Sequence, residues 1–150
     1  MTLYIDADAL VNQLKPIITK AIKQYNIPTY LVANKKVSLG TSQFVTFIMV
    51  EQGIDKADSW IIDHISPGDI TITSDIPLAD AVVSKGAVAL DQRGILYSSE
   101  NIKHHLAMRN LMESIRNAGN ITKGPKPFSN KDKAAFANAL SSFLQKRIKN

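Results

Sequence analysis

The sequence predicts an α/β fold, a three-layer sandwich on a mostly parallel five-stranded sheet with a C-terminal helical extension. Three observations lead there. Short runs of strand-forming residues alternate with segments whose apolar residues recur at helical spacing, the pattern of layered α/β proteins. Leu3–Ile5 and Ile70–Thr73 are apolar or β-branched throughout, as strands covered on both faces are. Turn residues punctuate the segments at Asn26-Ile27-Pro28, Pro67-Gly68 and Gly86.

Each element has its own warrant. Leu3–Ile5 is the first strand, and Ala9–Tyr25 follows as a helix on the recurrence of Leu10, Leu14, Ile17, Ile18, Ala21 and Ile22. Thr29–Ala33 is the second strand. After a polar loop from Asn34 to Ser42, the β-branched and aromatic run Phe44–Val50 is the third. Asp55 is placed to cap a helix over Ala57–Ile65, which Pro67-Gly68 ends. Ile70–Thr73 is the fourth strand, Leu78–Lys85 a short helix closed by Gly86, and Ala87–Leu90 the fifth strand.

The last third differs in kind. Asp91-Gln92-Arg93-Gly94 is a turn, Ser99–Asn117 a helix ending at Ala118-Gly119, and Lys123-Gly124-Pro125-Lys126-Pro127 a stiff basic linker. Ser129 with Asp132 three residues on forms a capping box for a final amphipathic helix through Lys149, with Phe136, Leu140, Phe143 and Leu144 toward the body. The expected organisation is one domain over residues 1–150, an α/β core of 1–91 carrying a helical extension of 92–150.

Composition removes several classes of function. The 45% hydrophobic content over 150 residues suffices for a two-sided core. No apolar run approaches the roughly 20 residues that span a bilayer, and Asp6 and Asp8 interrupt any signal-peptide order at the N-terminus, so a cytoplasmic protein is expected. Without cysteine there is no disulfide, thiolate zinc site or cysteine nucleophile. Neither a Gly-x-Ser-x-Gly elbow nor a phosphate-binding glycine loop is present. Aromatic content of 7% argues against a stacking platform for bases. Charge is unevenly spread: residues 1–100 carry 8 Lys and Arg against 11 Asp and Glu, residues 101–150 carry 10 against 2. A carboxylate-rich body with a basic C-terminal region suits a polyanionic substrate; a solvated lysine-rich helix is the plainer reading.

Three stretches end in aspartate: Leu3-Tyr4-Ile5-Asp6-Ala7-Asp8, Asp55-Lys56-Ala57-Asp58, and Ile70-Thr71-Ile72-Thr73-Ser74-Asp75, followed by Asp80. In doubly wound sheets, sites form beyond the carboxyl ends of the strands, where strand order reverses. If these stretches converge there, they hold hard divalent cations through oxygen. Asp6 and Asp75 lie at strand mouths, where a carboxylate needs partners. Asp55 and Asp69 have simpler readings as a cap and a turn residue. His105, Arg109, Met112 and Arg116 share one helical stripe, either as a phosphate clamp or as an anchor pairing an arginine with an aspartate.

Four pieces of the chain carry a resemblance: Asp6-Ala7-Asp8-Ala9, Gly53-Ile54-Asp55-Lys56-Ala57-Asp58, Gly68-Asp69 through Thr73-Ser74-Asp75-Ile76-Pro77-Leu78-Ala79, and Met108-Arg109 with Arg116. Gly119 and the Gly124-Pro125 pair with Phe128 fit at the same spacing. The chain resembles the YaiI/YqxD family of bacterial proteins, which look like members of the PIN-like nuclease superfamily. It departs from the family at Leu10-Val11, where a Cys-Pro pair is usual. The resemblance implies a PIN-like fold and a ribonuclease-type site. Asp6, Asp58 and Asp75 would be its acidic residues, with Asp8, Asp55 and Asp80 as further candidates. The site would hold Mg²⁺ or Mn²⁺ for water attack on a phosphodiester; on the clamp reading of the helical stripe, Arg109 and Arg116 are the candidate substrate contacts. RNA or another phosphate polyanion is the expected partner. A non-catalytic RNA-binding or regulatory protein that keeps an acidic pocket, and a small-molecule phosphatase, are the alternatives.

Overall fold

The computed structural model describes residues 1–40, 42–119 and 126–148. Strands β1 (Leu3–Asp6), β2 (Thr29–Ala33), β3 (Val45–Met49), β4 (Ile70–Ile72) and β5 (Val88–Leu90) run parallel in the order β3-β2-β1-β4-β5. A sixth strand, β6 (Leu96–Tyr97), adds to β5 antiparallel and corrects the expected count of five. The Asp91–Gly94 turn creates it: Gly94 N–H donates to the Asp91 carbonyl and Asp91 N–H to the Ile95 carbonyl, folding the chain back. Two residues are too few to display a period of two.

Helices α1 (Lys15–Tyr25), α2 (Lys56–His64), α3 (Ile76–Ser84), α4 (Ile102–Asn117) and α5 (Asn130–Ile148) cover the sheet. Side-chain alternation sorts the two cores. Leu3, Ile5, Ile70 and Ile72 face α1 and α5, meeting Leu14, Ile18, Ile22, Phe136, Leu140 and Leu144. Tyr4 and Val32 face the other way, toward Ile61 of α2, Leu78 and Val82 of α3, and Ile102 of α4. An apolar side chain taken fully out of water in either layer contributes about 1.5–3 kcal/mol.

The helix expected from Ala9 begins instead at Lys15, preceded by 3-10 turns at Ala7–Ala9 and Asn12–Leu14. Pro16 is the reason. With no N–H, proline is tolerated in the first turn of a helix, while farther inside it would clash with the carbonyl four residues back. Pro77 acts alike in α3, which starts at Ile76, two residues ahead of expectation. Asp55 does precede α2, but in the left-handed region (φ 63°, ψ 18°) and without a side-chain bond to the helix, so the expected cap is not made. The expected capping box of α5 is made: Asp132 N–H donates to Ser129 Oγ at 3.2 Å and Ser129 N–H to Asp132 Oδ2 at 3.0 Å.

Arg93 ties the extension to the sheet edge, donating to Asp132 Oδ2 at 2.6 Å and to the Lys126 carbonyl at 2.5 Å. Gly94 (φ 90°) lies so close to α5 that a Cβ there would sit 2.6 Å from the Ala135 carbonyl carbon. Residues 123–125 of the expected linker and Lys149 fall outside the described residues.

Candidate functional site

Strand order reverses between β1 and β4, since β2 and β3 build outward on one side and β5 and β6 on the other. The carboxyl ends of β1 and β4 therefore stand side by side at the position where α/β sheets place their sites. Asp6 is the last residue of β1, and its parity with Tyr4 turns it toward the α2 and α3 layer. It is 5% exposed. Its Oδ1 accepts from Asp8 N–H at 3.2 Å and its Oδ2 from the Thr73 hydroxyl at 3.0 Å. The Thr73 oxygen in turn accepts from Asp75 N–H at 3.0 Å. One hydroxyl thus joins the ends of β1 and β4 and sets the distance between the two aspartates.

Asp75 caps α3, its Oδ1 accepting from Leu78 N–H at 3.1 Å. That bond fixes one oxygen and leaves the rest of the carboxyl to the pocket, where it meets Asp58 from the first turn of α2. The Asp58 carboxyl is pushed up to about 7 by burial, then by the neighbouring Asp75 carboxylate with which it shares a hydrogen bond, and by Asp6 and Asp55. Burial also raises Asp6, against the pull of the Thr73 and Asp8 hydrogen bonds.

The pocket around these groups encloses about 440 Å³. Asp6, Asp8, Asp55, Asp58 and Asp75 line it with Glu51, while Lys56 and Arg109 supply positive charge at its rim. Of the residues expected in the site, Asp80 is elsewhere: it projects from α3 to Lys103 of α4, with Nζ 2.8 Å from Oδ1, and does not line the pocket. Arg116, nearly two turns beyond Arg109 on α4, does not line it either. Arg109 pairs with Glu113 on its own helix at 2.8 Å, and its side chain is 42% exposed. His105 sets its ring edge-on to Tyr97 at 5.0 Å and so helps seat α4 on β6. Trp60 packs in the α2 layer beside Tyr4 and Tyr30, and His64 stacks on its ring at 3.8 Å.

Thr73 is the site residue that the motif reading missed. Its signal was parity: it stands one pleat beyond Thr71 on the face that Asp6 shares, between two aspartates that need donors.

The donor set is wholly oxygen, with neither sulfur nor imidazole lining the pocket, and suits a hard divalent cation. Among the described residues, no group of three or more His, Asp or Glu side chains is placed to hold a metal ion. A Mg²⁺ ion bound through one or two carboxylates and its own waters needs no such group.

The fold and site define an α/β protein with an acidic pocket at the switch point of a parallel sheet. Residues 4–146 match the family described as "Uncharacterized BCR, YaiI/YqxD family", and the chain belongs to it. Its relatives include UPF0178 proteins of a Nitratiruptor species, 58% identical over 146 residues (97% of this chain, 96% of the relative), and of Sulfurimonas denitrificans, 54% identical over 148 residues (99% and 98%). A UPF0178 protein of a Marinomonas species is 44% identical over 149 residues, 99% of this chain and 100% of the relative. No solved structure matches the chain significantly.

Proposed function

We propose that this chain is a divalent-metal-dependent hydrolase of phosphodiesters, with RNA as its substrate class and Mg²⁺ or Mn²⁺ as its cation. The observation that carries the reading is the convergence of Asp6, Asp58 and Asp75 on one pocket, from three elements distant in sequence. The likeness of the acidic motifs to PIN-like nucleases supports it. So does the electrostatic state of the pocket, where burial first and the neighbouring carboxylates second push the Asp58 carboxyl up to about 7.

The bound cation would polarise a phosphate oxygen and lower the pKa of an attacking water. The residues do the rest. Asp6 and Asp75 present carboxylate oxygens from the two strand ends, and the Thr73 hydroxyl keeps them in register. Asp58 closes the pocket from α2, and Asp8 adds a carboxylate at the rim. Arg109 faces the same space, where its guanidinium can bind a phosphate oxygen and hold the diester over the carboxylates.

Product analysis tests the proposal. Single-stranded RNA incubated with Mn²⁺ should yield new ends with the native chain and none with the Asp6→Asn, Asp75→Asn double variant. RNA that stays intact while bound by the native chain would overturn the hydrolase reading in favour of a binding protein. Cleavage confined to small phosphomonoesters would make it a phosphatase.

A further inference from the structure

Residues 9–50 contain five lysines and no Asp or Glu, although the first hundred residues as a whole are acidic. All five lysines reach one surface. A depression of about 470 Å³ shares Asp8 with the acidic pocket and is lined by Lys15, Lys35 and Lys36. It runs into a second of about 890 Å³ through Asn12, Lys15 and Ser38, and there Lys20 and Lys23 join. The two form one groove, from the carboxylates at the mouth of β1, over the 3-10 turns, and down the outer side of α1.

None of the five lysines forms an ion pair with a described residue. Lys15, Thr19 and Lys23 recur every four residues along one face of α1, so Lys15 and Lys23 are about 12 Å apart along its axis. Lys15 is also the first residue of a helix that lacks a side-chain cap, and a cation there opposes the helix dipole. The arrangement therefore stores repulsion that folding does not require and that a polyanion would relieve. No aromatic side chain lines either depression, so bases have nothing to stack on.

We infer that this lysine groove is the track along which a single-stranded nucleic acid lies by its phosphates, feeding the strand across Asp8 to the acidic pocket. The inference deepens the hydrolase reading and rests on it for the destination of the strand. Lys56 and Arg109 line the pocket itself, so the backbone would meet cations both before and at the carboxylates. Recognition of this kind is independent of base sequence and weakens with salt.

The test separates grip from cleavage. Binding of a fluorescent single-stranded RNA is followed by anisotropy in EDTA over a salt series, for the native chain, Lys35→Ala/Lys36→Ala, Lys15→Ala/Lys23→Ala, and Lys131→Ala/Lys133→Ala on α5. Each groove pair should weaken binding about tenfold at low salt. Each should also flatten the log-log salt slope by roughly 1.4, at about 0.7 per lost phosphate contact. The α5 pair should change neither. DNA of the same length that depends on the same lysines would assign the groove to the phosphate chain alone, whereas RNA-only binding would assign it to RNA; either supports the track. Equal losses from all three pairs, or none, would overturn it. Mn²⁺-dependent cleavage is scored separately: groove-dependent binding without cleavage removes the hydrolase reading and keeps the groove, and cleavage indifferent to the groove lysines does the reverse.

Discussion

The Thr73 hydroxyl donates to Asp6 Oδ2 at 3.0 Å across the joined ends of β4 and β1, and Asp6 is almost wholly buried where that bond forms. Thr73→Val keeps the shape and removes the donor, leaving a buried carboxylate oxygen unpaired. Urea unfolding should show a loss of about 1–3 kcal/mol, and Thr73→Ser should recover most of it. Equal losses in the two variants would mean that the methyl group, not the hydroxyl, is what matters.

The stability of the metal-free protein should depend on pH through Asp58. Its folded pKa of about 7 stands above the ordinary carboxyl value of 3.8, so the native state holds the proton more tightly. Its contribution is complete below the unfolded pKa and is lost as pH rises through the folded one. Denaturation midpoints in EDTA should therefore climb as pH falls from 8 toward 5. Asp58→Asn should flatten that climb and be the more stable protein at pH 8. A native profile that already falls with acidification across this range would contradict the arrangement.

Cation binding should raise the melting temperature, because a ligand of the native state alone stabilises it by about 2.7 kcal/mol at a hundred times its Kd. Asn is the right replacement at Asp75, since it retains the oxygen that caps α3, whereas Ala would also lose roughly 1 kcal/mol of capping. Asp6→Asn and Asp75→Asn should each abolish the Mn²⁺-induced shift. Asp75→Asn should leave the metal-free melting temperature unlowered, whereas Asp6→Asn should lower it, since the amide keeps only one of the two acceptor oxygens that Asp8 N–H and the Thr73 hydroxyl use. A shift that survives both variants would place the cation elsewhere.

Phe136 is fully buried from the last helix, in the same cluster as Leu3, Ile5 and Ile72 of the central strands. Phe136→Ala should cost about 3–5 kcal/mol in chemical denaturation. A cost below about 1 kcal/mol would mean that α5 only drapes over the sheet.

Much of the scaffold was legible because its signals are local. Leu3–Ile5 and Ile70–Ile72 declare two-sided burial by composition, and Ser129 with Asp132 declares the start of α5. What was not legible depends on neighbours. The helix read back to Ala9 on apolar spacing ignored Pro16, and β6 exists only because a turn delivers two residues to an edge. Asp55 has the composition of a cap and the backbone of a left-handed turn. In the site, the approach of Asp6, Asp58 and Asp75 could be conjectured from strand ends. The pairing of Asp80 with Lys103 could not, because it joins two helices whose packing no periodicity encodes. The lysine groove was hidden by averaging: the acidic total of residues 1–100 conceals a stretch of 42 residues without a carboxylate.

Because α5 supplies Phe136, Leu140 and Leu144 to the layer beneath β1, β4 and β5, the first strand to be synthesised is covered by the last helix described. At 5–20 residues per second, a ribosome takes roughly 7–30 seconds to reach residue 144. During that interval Leu3, Ile5 and Ile72 have only the part of their cover that α1 supplies, and the apolar patch that Phe136, Leu140 and Leu144 will fill stays open. The layer beneath the central strands is thus closed only once residues 136–144 have been made. A premature stop ahead of residue 136 would yield an aggregating polypeptide, not a smaller version of the protein.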